Sequence, residues 1–519
     1  MRSKCKEFKK IFESEYNFLE GFKRNVFKTP EKTAIIDAQK NISLTYSQLY
    51  EKAYSLSENF YALGVKKGSV IFCLLRNSID FACVYIASKI LDSVFLPANF
   101  KLSEEEISLL IKKNKPKVVI YSPCCSAQIN KVNEKSKNTK YILADNFENI
   151  KCPANHYELF SINKQKELKQ KNKVSVYDET VRLCTSGTTS LPKCIPLTQL
   201  NEVLSVHDVL MHLKMDSTDT TMNLTPWFHR GGLHSAGLCP VLYSGATCVV
   251  VRSFSPQNSI KWISDYKVTY VIGSPSTLKI LAVAKRHFDL KNNCLKNLVS
   301  MGNVLSNSDI DFLENTFNCK VINGYGTTET FWNVLGEKNS FKACIEDDVR
   351  IVKLNEASFS SPDDLVPFDN RTCGEIIIKS VSKSSFCYFQ NKEIEKQKFY
   401  NGWFYTGDLA VWDKDKNFSI CGRKDNMFVV SGENIYPEQI EAVICTHPKV
   451  KDCLVKSEND SLRGKSIALY VEKKDESLTE EELKVFCNDV KNLSKYKRPR
   501  HIYFVERIPL NATGKKIRD

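Results

Sequence analysis

Short apolar runs alternate with amphipathic segments through the first part of the chain. Residues 33–36, 70–75 and 117–121 are apolar and of strand length, whereas residues 49–63 and 78–91 carry apolar side chains at helical spacing. Strands and helices that alternate in this way form a parallel sheet with helices packed on its faces. The sequence therefore predicts an α/β fold.

The same alternation returns in a second stretch. Strand-like runs at 247–251, 270–272 and 298–301 lie between helical patterns there. One large body containing paired helix-covered sheets accounts for both stretches. We therefore expect an N-terminal domain over residues 1–423.

The pattern changes after residue 422. Strand-like runs at 467–471 and 502–505 flank a helical pattern at 480–493, which is typical of a compact α+β unit. We expect a small C-terminal domain over residues 424–519.

Charge and cysteine content narrow the classes of function. The 519 residues include 74 Lys+Arg and 60 Asp+Glu, a net charge of +14. These charges are interleaved rather than clustered, which favours anionic ligands or an acidic protein partner and not nucleic acid. The 19 cysteines lack metal-site spacing, and Cys73 and Cys248 lie in apolar runs, as expected of a reduced cytoplasmic protein without a zinc site.

No segment resembles a membrane span or a secretion signal. The longest apolar region, 81–98, is interrupted by Lys89 and Asp92 and is shorter than the about 20 apolar residues that cross a bilayer. The basic N-terminus is not followed by an apolar stretch of signal-peptide length. We expect a cytoplasmic protein with no integral membrane segment.

Residues 185–193 combine hydroxyl side chains, a glycine and a cation after an apolar run. They include Thr185, Ser186, Gly187, Thr188, Thr189, Ser190 and Lys193. Hydroxyls and backbone N–H groups donate to phosphate oxygens, and a lysine adds positive charge. The spacing is not that of a Walker A loop. It predicts a phosphate-binding loop, with a surface turn rich in Ser and Thr as the alternative.

Residues 323–329 follow the apolar pair 321–322, at the carboxyl end of a predicted strand where α/β proteins bind ligands. Gly324 allows close backbone approach. Tyr325 offers a ring face to a base, and Glu329 is a possible Mg²⁺ ligand. The alternative is a tight turn with a core tyrosine.

Two later turns carry one charged residue each that suits a nucleotide. Asp408 follows Gly407 and has a carboxylate that can accept from two ribose hydroxyls, and Arg423 follows Gly422 and can reach ribose or phosphate. Taken alone, each turn is more typical of a structural role.

Together, in this order and at these separations, the four segments resemble the adenylate-forming superfamily of acyl-CoA synthetases, peptide-synthetase adenylation domains and luciferases. The resemblance covers nearly the whole chain, because further matching segments lie at 44–49, 226–229, 431–441 and 511–515. It implies a two-step reaction. A carboxylate attacks the α-phosphate of ATP to give acyl-AMP and pyrophosphate, and a thiol then takes the acyl group.

The resemblance also implies a role for each matching residue. The loop at 185–193 would hold the β- and γ-phosphates, and Asp408 and Arg423 would hold the ribose. Thr328 would contact the α-phosphate and Glu329 would bind Mg²⁺. The adenine pocket would comprise Gly302, Asn303, Gly324 and Tyr325.

The C-terminal residues complete the implied machinery. Lys515 resembles the adenylating lysine, which bridges the substrate carboxylate and the α-phosphate, with Lys516 as a fallback. The small domain would be mobile and turn about Asp425 between the two steps, bringing Gly432 to the thiol tunnel. Ser190 and Cys194 depart from the pattern, since the family usually has glycine at both positions.

The resemblance places the gate and wall of the acid pocket at His229, Arg230 and Gly231. A guanidinium facing a plain fatty chain would be desolvated without a partner, which is costly. Either Arg230 turns outward to solvent or phosphate, or the acid carries a polar group. In the second case we expect a compact aryl or otherwise polar-substituted acid, with a ring that Trp227, Phe228 and Trp332 enclose.

We therefore interpret the chain as an ATP-dependent and Mg²⁺-dependent ligase that joins a small carboxylic acid to a thiol. Coenzyme A is the expected thiol, and the phosphopantetheine of a free-standing, acidic acyl carrier protein is the alternative. A non-catalytic nucleotide-binding protein and a luciferase-like oxygenase are the alternatives of other classes.

Overall fold

The computed structural model describes most of the chain. The described residues are 2–133, 139–146, 149–162, 168, 174–185, 193–288, 290, 293–302, 305–337, 340–344, 348–355, 358–380, 382–430, 433–460, 464–490, 493, 495–510 and 516–518. They divide into two compact units. Unit 1 is Met1–Lys338, Ala343–Ile345 and Ser380–Gly402, and unit 2 is Asn339–Lys342, Glu346–Lys379 and Trp403–Asp519.

Helices occur in both units. They are α1 (Arg2–Glu15), α2 (Phe18–Lys28), α3 (Tyr46–Ala62), α4 (Ile79–Ile90), α5 (Glu104–Asn114), α6 (Ser126–Asn133), α7 (Gln199–Leu213), α8 (Arg230–His234), α9 (Leu238–Ser244), α10 (Pro256–Asp265), α11 (Pro275–Lys285), α12 (Asn307–Phe317), α13 (Lys392–Lys398), α14 (Pro437–Ile444) and α15 (Glu480–Asp489). Several begin at hydroxyl caps that accept a hydrogen bond from the first turn, as Thr45 does before α3 and Thr198 before α7.

The strands as far as residue 337 belong to unit 1. They are β1 (Thr33–Asp37), β2 (Ile42–Thr45), β3 (Val70–Leu74), β4 (Val94–Pro97), β5 (Val118–Tyr121), β6 (Lys140–Leu143), β7 (Tyr157–Glu158), β8 (Glu179–Thr185), β9 (Lys193–Thr198), β10 (Thr220–Asn223), β11 (Thr247–Val250), β12 (Tyr270–Gly273), β13 (Asn297–Met301), β14 (Lys320–Thr327) and β15 (Phe331–Glu337).

The remaining strands follow residue 339. They are β16 (Ser340–Ala343), β17 (Val349–Val352), β18 (Gly374–Ile378), β19 (Phe399–Tyr400), β20 (Trp403–Trp412), β21 (Phe418–Arg423), β22 (Phe428–Val430), β23 (Glu433–Ile435), β24 (Val450–Asp460), β25 (Gly464–Lys473) and β26 (His501–Val505).

Unit 1 contains two strand arrays. One has the order β7-β6-β5-β3-β4-β8-β9, and the other runs β15-β14-β13-β12-β10-β11-β1-β2. Most neighbours are parallel, and the antiparallel pairs β8/β9, β14/β15 and β1/β2 lie at the ends. The predicted α/β fold with paired, helix-covered sheets is confirmed.

The main core of unit 1 joins residues from both arrays, such as Ile71 of β3 and Ile35 of β1. Helix α4 contributes an unbroken buried run to this core, from Phe81 to Lys89. A helix that is apolar almost all round belongs in an interior. Cys73 and Cys248 are buried core residues, as the sequence predicts.

Unit 2 is built of smaller pieces. Strands β17, β18, β20, β21 and β16 are antiparallel neighbours. The strands β24-β25-β26 form a separate sheet, whose core includes Ile440 of α14 and Leu483 of α15. The α+β prediction for the C-terminal residues is confirmed. The predicted domain boundary between residues 423 and 424 stays a prediction.

No helix in the described part of the chain has both the length and the apolar character needed to cross a membrane.

Candidate active site

Three of the predicted site segments follow the carboxyl ends of parallel strands in one array of unit 1. Strand β10 leads into the segment with His229, Gly302 follows β13, and Tyr325 lies near the end of β14. Strands β10, β12, β13 and β14 are parallel neighbours in register, with Met301 opposite Gly324. Because the carboxyl ends of parallel strands share one edge, these segments lie at the same edge, where such sheets bind ligands.

The turn after Tyr325 depends on one close approach. A Cβ on Gly326 would lie 1.9 Å from the carbonyl oxygen of Phe331, so no other residue fits there without a backbone shift. The register between β14 and β15 also shifts between Tyr325 and Gly326, which marks a bulge. Tyr325, next to this bulge, is half-buried.

Glu329 is held by a tyrosine that the sequence analysis missed. The Tyr388 hydroxyl donates to Glu329 Oε1 at 2.7 Å, and Glu329 is half-buried. Burial and the Glu329 charge both raise the pKa of Tyr388, so its proton stays in this bond. Carboxylate oxygens are the ligands Mg²⁺ prefers, and the donor set therefore fits the predicted metal role. Tyr388 lies 59 residues from Glu329, and no local pattern signals their contact.

Two buried asparagines hold the segment with His229. Asn77 Oδ1 accepts from the backbone N–H of Trp227 at 2.8 Å, and its Nδ2 donates to the carbonyl of Thr225 at 3.1 Å. Asn223 Nδ2 donates to the carbonyl of Ser235 at 2.9 Å. The sequence analysis missed both residues, which fix the backbone so that the half-buried His229 ring stands at a defined place.

Gly232, the second of the two glycines after Arg230, lies where the backbone leaves no room for a side chain. A Cβ at Gly232 would lie 1.9 Å from the carbonyl oxygen of Pro226, so the chain can turn back on itself only with glycine here. At Gly231 the nearest atom is Ser235 Oγ at 4.0 Å. A small side chain at position 231 would therefore meet no steric clash, and the role of Gly231 as a pocket wall stays a prediction.

Arg230 is not turned outward, and that alternative is wrong. The residue is 3% exposed, and its guanidinium donates to the carbonyls of Thr328 and Lys383 at 2.6 Å each and to Ser205 Oγ at 3.3 Å. Burial lowers its pKa to about 9, while the charges of Glu329 and Glu202 act the other way. Arg230 therefore stays protonated at neutral pH, with both terminal nitrogens bonded to protein oxygens.

The ends of the predicted phosphate loop face each other across an antiparallel pair. Thr185 ends β8, Lys193 begins β9, and the two residues are register partners. The next pair inward is Cys184 and Cys194, whose sulfurs lie 3.3 Å apart. Thr185 is thus at the carboxyl end of a strand that runs parallel to β4, which suits ligand binding.

In unit 2, strands β20 and β21 bring the two predicted ribose residues together. Asp408 and Arg423 are register partners, and Arg423 donates to Asp408 Oδ1 at 2.6 Å. Arg423 also donates to exposed Asp425 at 3.2 Å. Burial on its own would lower the pKa of Arg423, but the two carboxylates raise it. The pair gives a carboxylate and a cation side by side.

Several predicted residues lie outside the described part of the chain. They are Ser186, Gly187, Thr188, Thr189, Asn303, Gly432 and Lys515.

The described fallback, Lys516, donates to Glu441 at 3.2 Å and pairs with Asp452 at 2.7 Å. Burial would lower its pKa, but Glu441 and the neighbouring groups raise it. Lys516 therefore serves as a partner for carboxylates within unit 2.

One further group among the described residues has the donor atoms for a metal. Glu202, His234 and Cys239 bring their ligand atoms within 4.8 Å of one another. Glu202 is already bonded to Lys89 and to the Tyr85 hydroxyl, and burial keeps the pKa of Cys239 far above its ordinary value. A neutral thiol beside an engaged carboxylate is a poor metal site.

Comparison with known proteins agrees with this geometry. The AMP-binding enzyme family matches residues 22–382, and the AMP-binding enzyme C-terminal domain matches 439–515. A 2-succinylbenzoate–CoA ligase of Bacillus licheniformis is 28% identical over 94% of this chain and 96% of its own. A 4-coumarate–CoA ligase of Narcissus pseudonarcissus is 26% identical over 95% and 91%.

Solved structures share the fold. An anthranilate CoA ligase in complex with anthranoyl-AMP superposes with a TM-score of 0.85 at 22% identity, over 97% of this chain and 96% of that one. ATP-bound MatB from Rhodopseudomonas palustris gives a TM-score of 0.83 at 21% identity, over 96% and 97%. The chain belongs to the AMP-binding enzyme family and is an AMP-forming acid–thiol ligase.

Proposed function

We propose that the protein joins a compact carboxylic acid to coenzyme A, with cleavage of ATP to AMP and pyrophosphate. The observation that carries the proposal is the shared carboxyl edge of the parallel strands β10, β13 and β14, because the segments with His229, Gly302 and Glu329 follow these strands in the chain. Such an edge suits a nucleotide and an acid that must react with each other.

The nucleotide contacts follow from the chemistry of the side chains. The Tyr325 ring stacks on adenine, and the Thr328 hydroxyl donates to the α-phosphate. Thr185 and Lys193 flank the segment that takes the outer phosphates. In unit 2, Asp408 accepts from ribose hydroxyls, which requires that Arg423 share or release its bond to that carboxylate.

Glu329 is the residue that holds Mg²⁺, since one of its oxygens is fixed by Tyr388 and a carboxylate can coordinate through the other. When bound, the ion neutralises phosphate charge and so makes the α-phosphate easier to attack. The contribution of the protein is to hold the carboxylate still, because misplacement of a reacting group by about 1 Å costs up to about 100-fold in rate.

Lys515 is the proposed adenylating lysine. Lys516 is committed to Glu441 and Asp452, and breaking two ion pairs would oppose its movement toward a substrate. A lysine at position 515 supplies positive charge where the attacked phosphate gains negative charge. Asp425 and Gly432 remain the proposed hinge and the proposed entry for the thiol.

The acid is compact because the side chains expected to enclose it are already packed. Trp332 and Trp227 are 0% and 1% exposed, so both rings are already packed against protein atoms. Trp227 packs against Phe81 at 5.4 Å between ring centroids. A long acyl chain directed at these rings would have to displace them, which favours a short or single-ring acid.

Coenzyme A is the proposed acceptor because the similar proteins named above are CoA ligases. The test is ATP–pyrophosphate exchange over a panel of short, aryl and long-chain acids, followed by thiol capture with coenzyme A and with acyl carrier proteins. We expect exchange with compact acids and capture by coenzyme A. Exchange with no acid would contradict the proposal, capture by carriers alone would replace the acceptor, and light emission would indicate an oxygenase.

Lys515→Ala separates the two steps in the same assays. We expect loss of exchange by about 100-fold or more, with transfer from a supplied acyl-adenylate to coenzyme A retained. Lys516→Ala is the matched control. If Lys516→Ala lost exchange and Lys515→Ala did not, the two assignments would be reversed.

A further inference from the structure

One buried face of α7 is polar. Glu202, Ser205 and Asp208 follow one another at three-residue spacing, so they lie on one side of the helix. All three are buried. Each contacts one long basic side chain from elsewhere in unit 1: Lys89 contacts Glu202, Arg230 contacts Ser205, and Lys383 contacts Asp208.

Two of these basic residues reach past α7 to backbone carbonyls. Arg230 donates to the carbonyl of Thr328 at 2.6 Å, and Lys383 Nζ donates to the carbonyl of Trp332. Arg230 also donates to the carbonyl of Lys383 at 2.6 Å, which links the two. The segment from Thr328 to Trp332 is therefore held at both ends by buried cations.

The backbone between Thr328 and Trp332 adopts an unfavourable conformation, which the bonds from Arg230 and Lys383 help to hold. Phe331 has φ of 60°, a left-handed conformation that a bulky side chain rarely adopts unless its surroundings impose it. The Arg230 guanidinium lies 5.2 Å from the centre of the Phe331 ring, within the range of a cation–π contact. Glu329 sits two residues before Phe331, so the backbone path through Phe331 sets where its carboxylate stands.

We propose that Arg230 and Lys383 act as a carbonyl clamp, defined by their bonds to Thr328 and Trp332, that positions the Glu329 carboxylate. The inference rests on the proposed function, because it concerns the metal-binding role of Glu329. Arg230 is thus a positioning residue that does not contact the acid.

Charged donors suit this role better than neutral ones. A hydrogen bond from an ionised donor is shorter and about twice as strong as a neutral one, and it holds a strained segment more firmly. The charges are balanced locally, because Asp208 pairs with Lys383 and the charges of Glu329 and Glu202 act on Arg230. Removing one cation leaves a carbonyl unpaired and a carboxylate less well compensated.

The test compares Arg230→Met and Arg230→Lys with the parent protein by two measurements. The first is the Mg²⁺ concentration that gives half of the thermal stabilisation by ATP. The second is ATP–pyrophosphate exchange with two acids that differ by one polar group. Arg286→Met is the matched control, since Arg286 also stacks on a phenylalanine ring, at 5.0 Å from Phe312, but is exposed.

For Arg230→Met we expect kcat to fall by about 10- to 100-fold for both acids alike, with the KM of each acid unchanged. The half-effective Mg²⁺ concentration should shift by about threefold or more, and Arg230→Lys should recover part of both effects, because it can still reach one carbonyl. Arg286→Met should change neither measurement.

A loss confined to the acid with the polar group would show that Arg230 contacts the substrate and would overturn the clamp. So would an unchanged Mg²⁺ response together with an unchanged kcat. If Arg230→Met does not fold, Arg230→Lys gives the decisive comparison, because a positioning role predicts a changed Mg²⁺ response in that variant as well. A parent protein without exchange activity but with an Mg²⁺ response altered by Arg230→Lys would contradict the proposed function and leave the clamp standing.

Discussion

Lys89→Met tests a deeply buried ion pair of unit 1. Lys89 is 1% exposed and Glu202 is 0% exposed, and the carboxylate also accepts from the Tyr85 hydroxyl at 2.9 Å. Burial alone would raise the pKa of Glu202, but Lys89 and His234 lower it to about 2, from an ordinary value of 4.5. Burial lowers the pKa of Lys89, while the charge of Glu202 acts the other way, and the direct contact between the two groups favours the ion pair at neutral pH.

For Glu202 alone, the difference between its folded and ordinary pKa corresponds to about 3 kcal/mol of stabilisation, at about 1.4 kcal/mol per pH unit. Because the folded-state pKa lies below the unfolded one, this contribution is fully present above about pH 4.5 and is lost as the pH falls through about 2. The lowered pKa of Lys89 offsets part of this contribution. Removal of Lys89 leaves a buried carboxylate without its cation, for which a loss of about 3 to 5 kcal/mol is typical.

We expect Lys89→Met to lower the free energy of unfolding by about that amount at pH 7.5, measured by urea denaturation followed by tryptophan fluorescence. At pH 5.5 the loss should be smaller, because burial then raises the pKa of the unpaired Glu202 and the carboxyl takes up a proton. Lys89→Met with Glu202→Gln should recover part of the loss.

The matched control is Lys23→Met, which breaks a half-exposed pair with Glu20 at 3.0 Å and should cost less than about 1 kcal/mol. If Lys89→Met and Lys23→Met differ by less than about 1 kcal/mol, the buried pair does not carry the stability assigned to it. A loss that grows as the pH falls from 7.5 to 5.5 would refute the ionised state of Glu202.

Three shorter predictions concern the site itself. Asp408→Asn keeps the shape but removes the charge that orders ribose hydroxyls, so the KM for ATP in the exchange assay should rise by about tenfold, and an unchanged KM would remove Asp408 from the ribose contacts. Gly232→Ala places a Cβ 1.9 Å from the carbonyl oxygen of Pro226, so the melting temperature should fall by several degrees, and a parent-like melting curve would show that the turn can relax. Oxidised glutathione should link Cys184 to Cys194, whose sulfurs lie 3.3 Å apart, with release of two reduced glutathione molecules. Peptide mapping by mass spectrometry should find the linked peptides, and finding both thiols free would show that the pair resists oxidation.

Repeated local patterns were enough to predict the scaffold. The apolar run at 70–75 is β3 (Val70–Leu74), and the helical spacing at 78–91 is α4 (Ile79–Ile90). A hydroxyl cap at Ser78 begins that helix. Boundaries were less secure: the helix predicted at 480–493 ends at Asp489, as α15. Hydrophobic periodicity and capping residues predict that a helix is present, whereas the position of its last turn depends on packing.

Contacts between distant segments could not be predicted in this way. Tyr388 reaches Glu329 across 59 residues, and Asn77 reaches Trp227 across 150. A buried tyrosine and a buried asparagine have no local signature, because each is defined by the polar group it satisfies on another segment. Arg230 shows the same limit. The sequence predicted that Arg230 either turns outward or meets a polar group of the acid, and only the fold shows that it bonds to backbone carbonyls.

The sequence shows the polar spacing along α7, but it does not show that this face is buried or which residues contact it. Glu202, Ser205 and Asp208 at three-residue spacing would ordinarily predict a solvent-exposed face. They are buried because their basic partners come from α4, from α8 and from the segment at 380–384, which are far apart along the chain. Each of these buried polar groups would be costly to leave without its partner. The polar face of α7 therefore constrains where α4, α8 and the segment with Lys383 lie. An apolar face would have packed against many surfaces, whereas this polar face fits one arrangement, and that arrangement includes the segment carrying Glu329.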